Sequence, residues 1–207
     1  MLVKVCGMRE PENIRAAEKC DIDLMGFIFA PRSPRCVTQM PAYLPEKVRR
    51  IGVFVDADKA TIEHRIADYG LYGVQLHGHE SPELCRALRA NGVKVIKAFQ
   101  MQNRTSAAQC RAYESVCDWF LFDTPCATDG GSGKKFDWTL LESYRGSTPF
   151  LLSGGLSPDC LTELRGFSHP QWAGIDLNSG FETAPALKDI DKLRNFITLF
   201  RNEIKNK

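Results

Sequence analysis

Leu2-Val3-Lys4-Val5-Cys6-Gly7 is apolar, rich in valine and closed by a glycine. It is too short for a buried helix and reads as a strand covered on both faces, as in a parallel sheet. Seven similar runs follow: Leu24–Phe29, Ile51–Val55, Gly73–Leu76, Lys94–Ala98, Trp119–Asp123, Pro149–Ser153 and Ala173–Leu177. Their starts lie 21 to 30 residues apart, which leaves room for one short helix or loop between each pair.

The intervening segments carry helix signals. Residues 58–69 begin with Asp58 as N-cap and end before Gly70. Residues 81–91 open Ser81-Pro82-Glu83, and residues 157–165 open Ser157-Pro158-Asp159, each a cap followed by a proline suited to the first helical position. Residues 185–205 read as a last amphipathic helix, with Ile190, Leu193, Phe196, Ile197 and Phe200 near one stripe. Strands alternating with helices fit either a closed (β/α)8 barrel or an open doubly wound sheet. No Gly-x-Gly-x-x-Gly follows the first strand, and the count of eight favours the barrel. The expected fold is an α/β TIM barrel with residues 1–207 as a single domain. No linker or low-complexity tract marks a second one, and the chain is short enough that helices and loops must be brief.

Composition narrows the function classes. Of 207 residues, 43% are hydrophobic and 25% charged, and the net charge is +2 with both signs spread along the chain. That is unlike the basic stripe of a nucleic-acid binder. The densest basic run, Lys47-Val48-Arg49-Arg50, reads as the last turn of a helix, where cations suit the macrodipole. The apolar runs are strand-sized rather than membrane-spanning, and the start lacks the long apolar core of a secretory signal, so a cytoplasmic protein is expected. The eight cysteines, at 6, 20, 36, 85, 110, 117, 126 and 160, show no C-x-x-C pair. They are expected to be reduced and mostly structural, with Cys6 the exception.

A barrel builds its site at the C-terminal ends of its strands. Strand 1 ends at Cys6-Gly7, strand 4 at His77-Gly78 and strand 6 at Asp123. Strand 7 ends at Ser153-Gly154-Gly155, and strand 8 at Asn178-Ser179-Gly180. Glycines in the last two loops let backbone amides approach an anion, and such loops commonly hold phosphate. A thiol with a depressed pKa can act as base and a carboxyl kept protonated as acid, so Cys6 and Asp123 suit a proton-transfer isomerisation. Residues 127–135, with Gly130-Gly131-Ser132-Gly133-Lys134, resemble a P-loop superficially, but Thr128 and Lys135 break that motif. They read as a mobile lid or as a plain surface loop. His77 and His79 stand two apart, yet no acidic or cysteine ligand obviously converges on them, and no metal is expected.

These blocks together resemble one family. Val3–Gly7, Gly26-Phe27 through Ser33-Pro34-Arg35, Gln75–Gly78, Phe122-Asp123-Thr124, Gly130–Lys134 with Asp137-Trp138, Ser153–Leu156 and Asp176–Gly180 are similar, in order and over essentially the whole chain, to phosphoribosylanthranilate isomerase. The resemblance implies an Amadori rearrangement in tryptophan biosynthesis, in which N-(5-phosphoribosyl)anthranilate becomes 1-(2-carboxyphenylamino)-1-deoxyribulose 5-phosphate. It implies that Asp123 protonates the ring oxygen and that Cys6 removes the C2 proton. Arg35 would then stand near the anthranilate carboxylate, and Gly154, Gly155, Ser179 and Gly180 would supply amides to the phosphate. Asp176 would bind a ribose hydroxyl or, equally, pair with Lys4 on the neighbouring strand. No metal or organic cofactor is implied, because the substrate nitrogen is the electron sink. The partner is a phosphorylated small molecule, with no nucleic acid or membrane, and the chain is a monomer or homodimer. Asn178 and Ala186 depart from the pattern, where serine and glycine are common. The histidine-pathway aminoaldose isomerase is a weaker match, since an aspartate would replace Cys6. An indole-forming synthase would want lysine and glutamate at strand ends. A barrel that only binds phosphorylated metabolites, and a thiol-redox or metal-storage protein, are the non-isomerase alternatives.

Overall fold

Leu2–Val5 forms β1, and it hydrogen-bonds in parallel to β2 (Leu24–Ile28) on one side and to β8 (Trp172–Leu177) on the other. Between them run β3 (Arg49–Phe54), β4 (Gly73–Leu76), β5 (Lys94–Gln100), β6 (Trp119–Asp123) and β7 (Phe150–Leu152). The eight strands close into a barrel in sequence order. This is a computed structural model, and it describes residues 1–124 and 137–204. Cys126 and the 127–135 loop lie outside the described residues.

The period of two along each strand sorts side chains between two cores. Leu24, Ile51, Ile96, Ala98, Leu121 and Leu151 fill the barrel interior. Phe120, Phe122 and Phe150 point outward, fully buried beside Tyr144, with Phe122 and Phe150 ring centroids 5.0 Å apart. Burying each such ring stabilises the fold by about 1.5–3 kcal/mol.

The covering elements are short. They include α1 (Pro11–Glu18), α2 (Lys59–Tyr69), α3 (Pro82–Ala90) and α4 (Leu161–Gly166). The expected caps are present: Asp58 accepts from the Thr61 amide at 2.7 Å, Gly70 closes α2 with φ +53°, and Ser81 accepts from the Leu84 amide at 3.3 Å. The segment after Ser157 starts as a 3-10 turn at Pro158–Cys160 and then becomes α4. Arg104–Tyr113 and Trp138–Ser143 are 3-10 helices that stand in for full α-helices.

Two expectations are corrected. The basic run Lys47–Arg50 does not end a helix; Arg49 and Arg50 open β3. Arg50 instead caps neighbouring carbonyls, donating to Pro45 O at 3.0 and 2.9 Å and to Tyr69 O, at the end of α2, at 2.8 Å. The cation therefore serves a helix C-terminus, but that of the following helix. The last helix starts late. Residues 182–188 form a hairpin of β9 (Glu182–Ala184) and β10 (Leu187–Lys188), and α5 runs Ile190–Ile204. Its turn holds Ala186 at φ +67°, a conformation in which glycine is unstrained.

Candidate active site

Cys6 follows β1 directly and extends its ladder, the Cys6 amide donating to Leu177 O at 2.8 Å. Its side chain is inward and 3% exposed, among Ile28, Ala30 and Val53. The sulfur fits because β2 carries Gly26: a Cβ there would lie 2.8 Å from Sγ. Cys6 lines a cavity of about 140 Å³ at the C-terminal mouth of the barrel. Asp123, Arg35, Asp176, Gly154, Gly155 and Ser179 line the same cavity. Gly180 does not; it sits behind, where a Cβ would collide with the Leu156 carbonyl oxygen.

Beneath Cys6 lies Lys4, fully buried, whose Nζ donates to Asp176 Oδ1 and Oδ2 at 3.0 Å each. Of the two partners open to Asp176, the structure shows Lys4, its neighbour across the β1–β8 register. Burial pushes the Cys6 thiol above its ordinary value; Lys4 and Lys188 pull against that, and Asp176 adds to it. Burial likewise raises Asp176 in spite of Lys4. A depressed thiol, the condition the sequence reading set for a base, is therefore not what these surroundings alone give.

Asp123 ends β6 with 23% of its side chain exposed. Its Oδ1 accepts from the Thr124 amide at 2.8 Å, and its Oδ2 lies 3.3 Å from His77 Nε2. The other ring nitrogen, Nδ1, is 2.9 Å from the Gln75 amide nitrogen. If Gln75 donates there, the imidazole carries its proton on Nε2 and donates to Asp123. His79 points elsewhere, 96% exposed and 3.2 Å from Asp56. Among the described residues no cluster of metal-binding side chains is present.

Arg35 is buried in the loop after β2. Its Nε donates to Glu182 at 2.9 and 3.1 Å and its Nη2 at 2.6 Å. Nη1 takes no part in this pair. Lys188 donates to the same carboxylate at 2.6 Å and to Asn178 Oδ1 at 2.9 Å. Burial alone would raise Glu182, but Arg35 and Lys188 hold it below the ordinary carboxylate range. Burial depresses Lys188, and Glu182 opposes this. Asn178, one of the departures from the family pattern, thus has a definite partner.

After β7, Gly154 and Gly155 adopt φ +81° and +65°. A Cβ at Gly154 would meet Thr124 and lie 2.8 Å from Asp123 Oδ1. The turn must therefore stay bare for the Asp123 carboxyl to fit beside it.

The profile of the family described as N-(5'phosphoribosyl)anthranilate (PRA) isomerase matches residues 3–199. The N-(5'-phosphoribosyl)anthranilate isomerase of Phocaeicola vulgatus is 55% identical over 204 residues, covering 99% of this chain and 100% of that protein. This chain belongs to the phosphoribosylanthranilate isomerase family. Membership makes it an isomerase of tryptophan biosynthesis. The crystal structure of the family member from Thermus thermophilus superposes with a TM-score of 0.85 at 28% identity, covering 98% of this chain and 99% of that one. Another phosphoribosylanthranilate isomerase, solved with reduced 1-(o-carboxyphenylamino)-1-deoxyribulose 5-phosphate, gives 0.80 at 31% identity, covering 98% and 100%.

Sequence reading missed Glu182, Lys188 and the Gln75–His77–Asp123 chain. The last was within reach, because Gln75 and His77 alternate on the interior face of one strand. Lys188 gave no signal, since it fell within the expected helix at 185–205, and Glu182 lay just before it in a stretch assigned no element.

Proposed function

We propose that this chain carries out the Amadori rearrangement of N-(5'-phosphoribosyl)anthranilate with Asp123 as acid and Cys6 as base. Asp123 gives its proton to the furanose ring oxygen, the ring C–O bond breaks, and the nitrogen lone pair forms an iminium with C1. The Cys6 thiolate then takes the C2 proton. The electrons of that C–H bond become the C1–C2 double bond, and the C=N pair returns to nitrogen. Ketonisation passes the thiol proton to C1 and the C2 hydroxyl proton to Asp123, which restores both groups. The iminium acidifies C2, so a thiolate is a sufficient base and no step calls for a metal or organic cofactor.

The observation that carries this reading is that Cys6 and Asp123 line one cavity from strands β1 and β6. Arg35 and the bare Gly154-Gly155 turn line it as well, at other points of the mouth. In this reading the guanidinium edge not used by Glu182 receives the anthranilate carboxylate. Amides of Gly154, Gly155 and Ser179 hold the phosphate, with Gly180 behind them shaping the turn. Asp176, kept in place by Lys4, faces the ribose from its cavity side. The chain acts as a single domain in the cytoplasm, as a monomer or homodimer.

The test is the loss of anthranilate fluorescence when purified protein meets phosphoribosylanthranilate in the presence of a chelator. Persistent fluorescence with folded protein would reject the assignment. Cys6→Ala and Asp123→Asn are each expected to lower turnover at least about a hundredfold. Near-wild-type rates in either variant remove that residue from its role.

A further inference from the structure

The acid–base scheme leaves a buried ion pair without a task. Lys4 and Cys6 are two apart at the end of one strand, so both face the interior. An ammonium has three N–H donors. Lys4 places two on Asp176 at 3.0 Å each, which leaves a third for Cys6, its neighbour on the same face of the strand. Stability does not explain the pair, because buried ion pairs are commonly no more stable than apolar replacements of like volume. Its place directly under the cavity floor calls for a chemical reason.

Charge balance supplies one. The charged groups facing Cys6 are Lys4 from β1, Asp176 from β8, Lys188 from β10 and Arg35 from the loop after β2. Glu182 of β9 joins the last two. That cluster holds three cations and two carboxylates, and a thiolate at Cys6 is the charge that makes it neutral. The rest of the surroundings, Ile28, Ala30 and Val53, is apolar and offers a thiolate nothing.

We propose that Lys4, held by Asp176, is a positioning residue that presents its ammonium to Cys6 Sγ and offsets the charge of the thiolate as it forms to take the substrate's C2 proton. The inference deepens the reading of Cys6 as base and rests on it. It also gives the Lys4–Asp176 pair a function distinct from contact with the sugar. Asp176 fixes the lysine, and the lysine stabilises the base.

The experiment is alkylation of wild-type protein by iodoacetamide across a pH series, followed on the peptide carrying Cys6 by mass spectrometry, with kcat and KM measured in parallel. The variants are Lys4→Met and Lys4→Met/Asp176→Asn. The double variant guards against loss of folding, since it leaves no buried charge alone. Lys4 pulls the thiol down more strongly than Asp176 pushes it up. The midpoint should therefore rise in both variants, by about one pH unit or more, with about a tenfold loss of thiolate at fixed pH. Turnover should fall with it, while in Lys4→Met, which keeps Asp176, KM stays within about twofold. An unshifted alkylation curve in the folded double variant overturns the role of Lys4 and leaves Cys6 as base intact. Wild-type turnover in Cys6→Ala is the separate result that removes the base itself.

Discussion

Glu182→Gln offers the sharpest physical test of the site, because the substitution keeps shape and removes one charge. The carboxylate is 6% exposed and accepts three contacts from Arg35 and one from Lys188. Removing one partner of a buried ion pair costs about 3–5 kcal/mol, since the remaining charge stays desolvated. Here two cations share the anion, so the cost should reach at least about 3 kcal/mol at neutral pH. With a urea m-value of about 3 kcal/mol per molar for a chain of this size, the unfolding midpoint falls by about 1 M. That is a sizeable part of the total stability, yet it leaves the protein folded.

The sign of the pH dependence follows from Lys188. Burial depresses its pKa in the fold below the ordinary 10.5. In the variant the cost of its ammonium is fully present below the folded value. It fades as pH rises from that value towards 10.5, because a neutral lysine needs no counter-ion. The gap between wild type and variant should therefore narrow with rising pH. Adding Lys188→Met should recover a large part of the loss. Urea unfolding followed by tryptophan fluorescence at several pH values measures both effects. A gap that keeps one size across the alkaline range, or a loss below about 1 kcal/mol, refutes the charge argument.

Arg35→Lys should raise KM roughly ten- to a hundredfold with a smaller change in kcat, because an ammonium cannot hold Glu182 and a substrate carboxylate on two edges at once; steady-state kinetics decide it. Gly154→Ala forces a Cβ onto Thr124 and Asp123 at φ +81°, and should lower kcat and raise KM together, read in the same assay. Glu114 is held below its ordinary 4.5 by hydrogen bonds from Thr148, Tyr144 and Ser147, against the opposing pull of burial. Its contribution to stability is present above that value and is lost as pH falls through the lower folded one. The stability gap between wild type and Glu114→Gln should accordingly close in acid, as shown by urea midpoints.

The strands were readable because a parallel sheet covered on both faces demands apolar runs of strand length, and eight of them recur at even spacing. The caps at Asp58, Ser81 and Ser157 were readable because capping is local chemistry. The basic run at Lys47–Arg50 was misread for a physical reason: a helix C-terminus attracts cations, and Arg50 does serve one, but that of α2, whose last residue lies nineteen positions further on. The hairpin at residues 182–188 was missed because its few apolar positions suit either period.

The local sequence determined which residues stand at strand ends, and so placed Cys6, Asp123 and the glycine turns at one mouth once eight strands close. Tertiary structure alone decided what surrounds them. Lys4 meets Asp176 across 172 residues, and Arg35 meets Glu182 across 147. Such pairs obey no spacing rule, since closure of the barrel brings its first and last strands together. The balance between burial and neighbouring charge that sets a thiol's proton exists only once those distant groups have met.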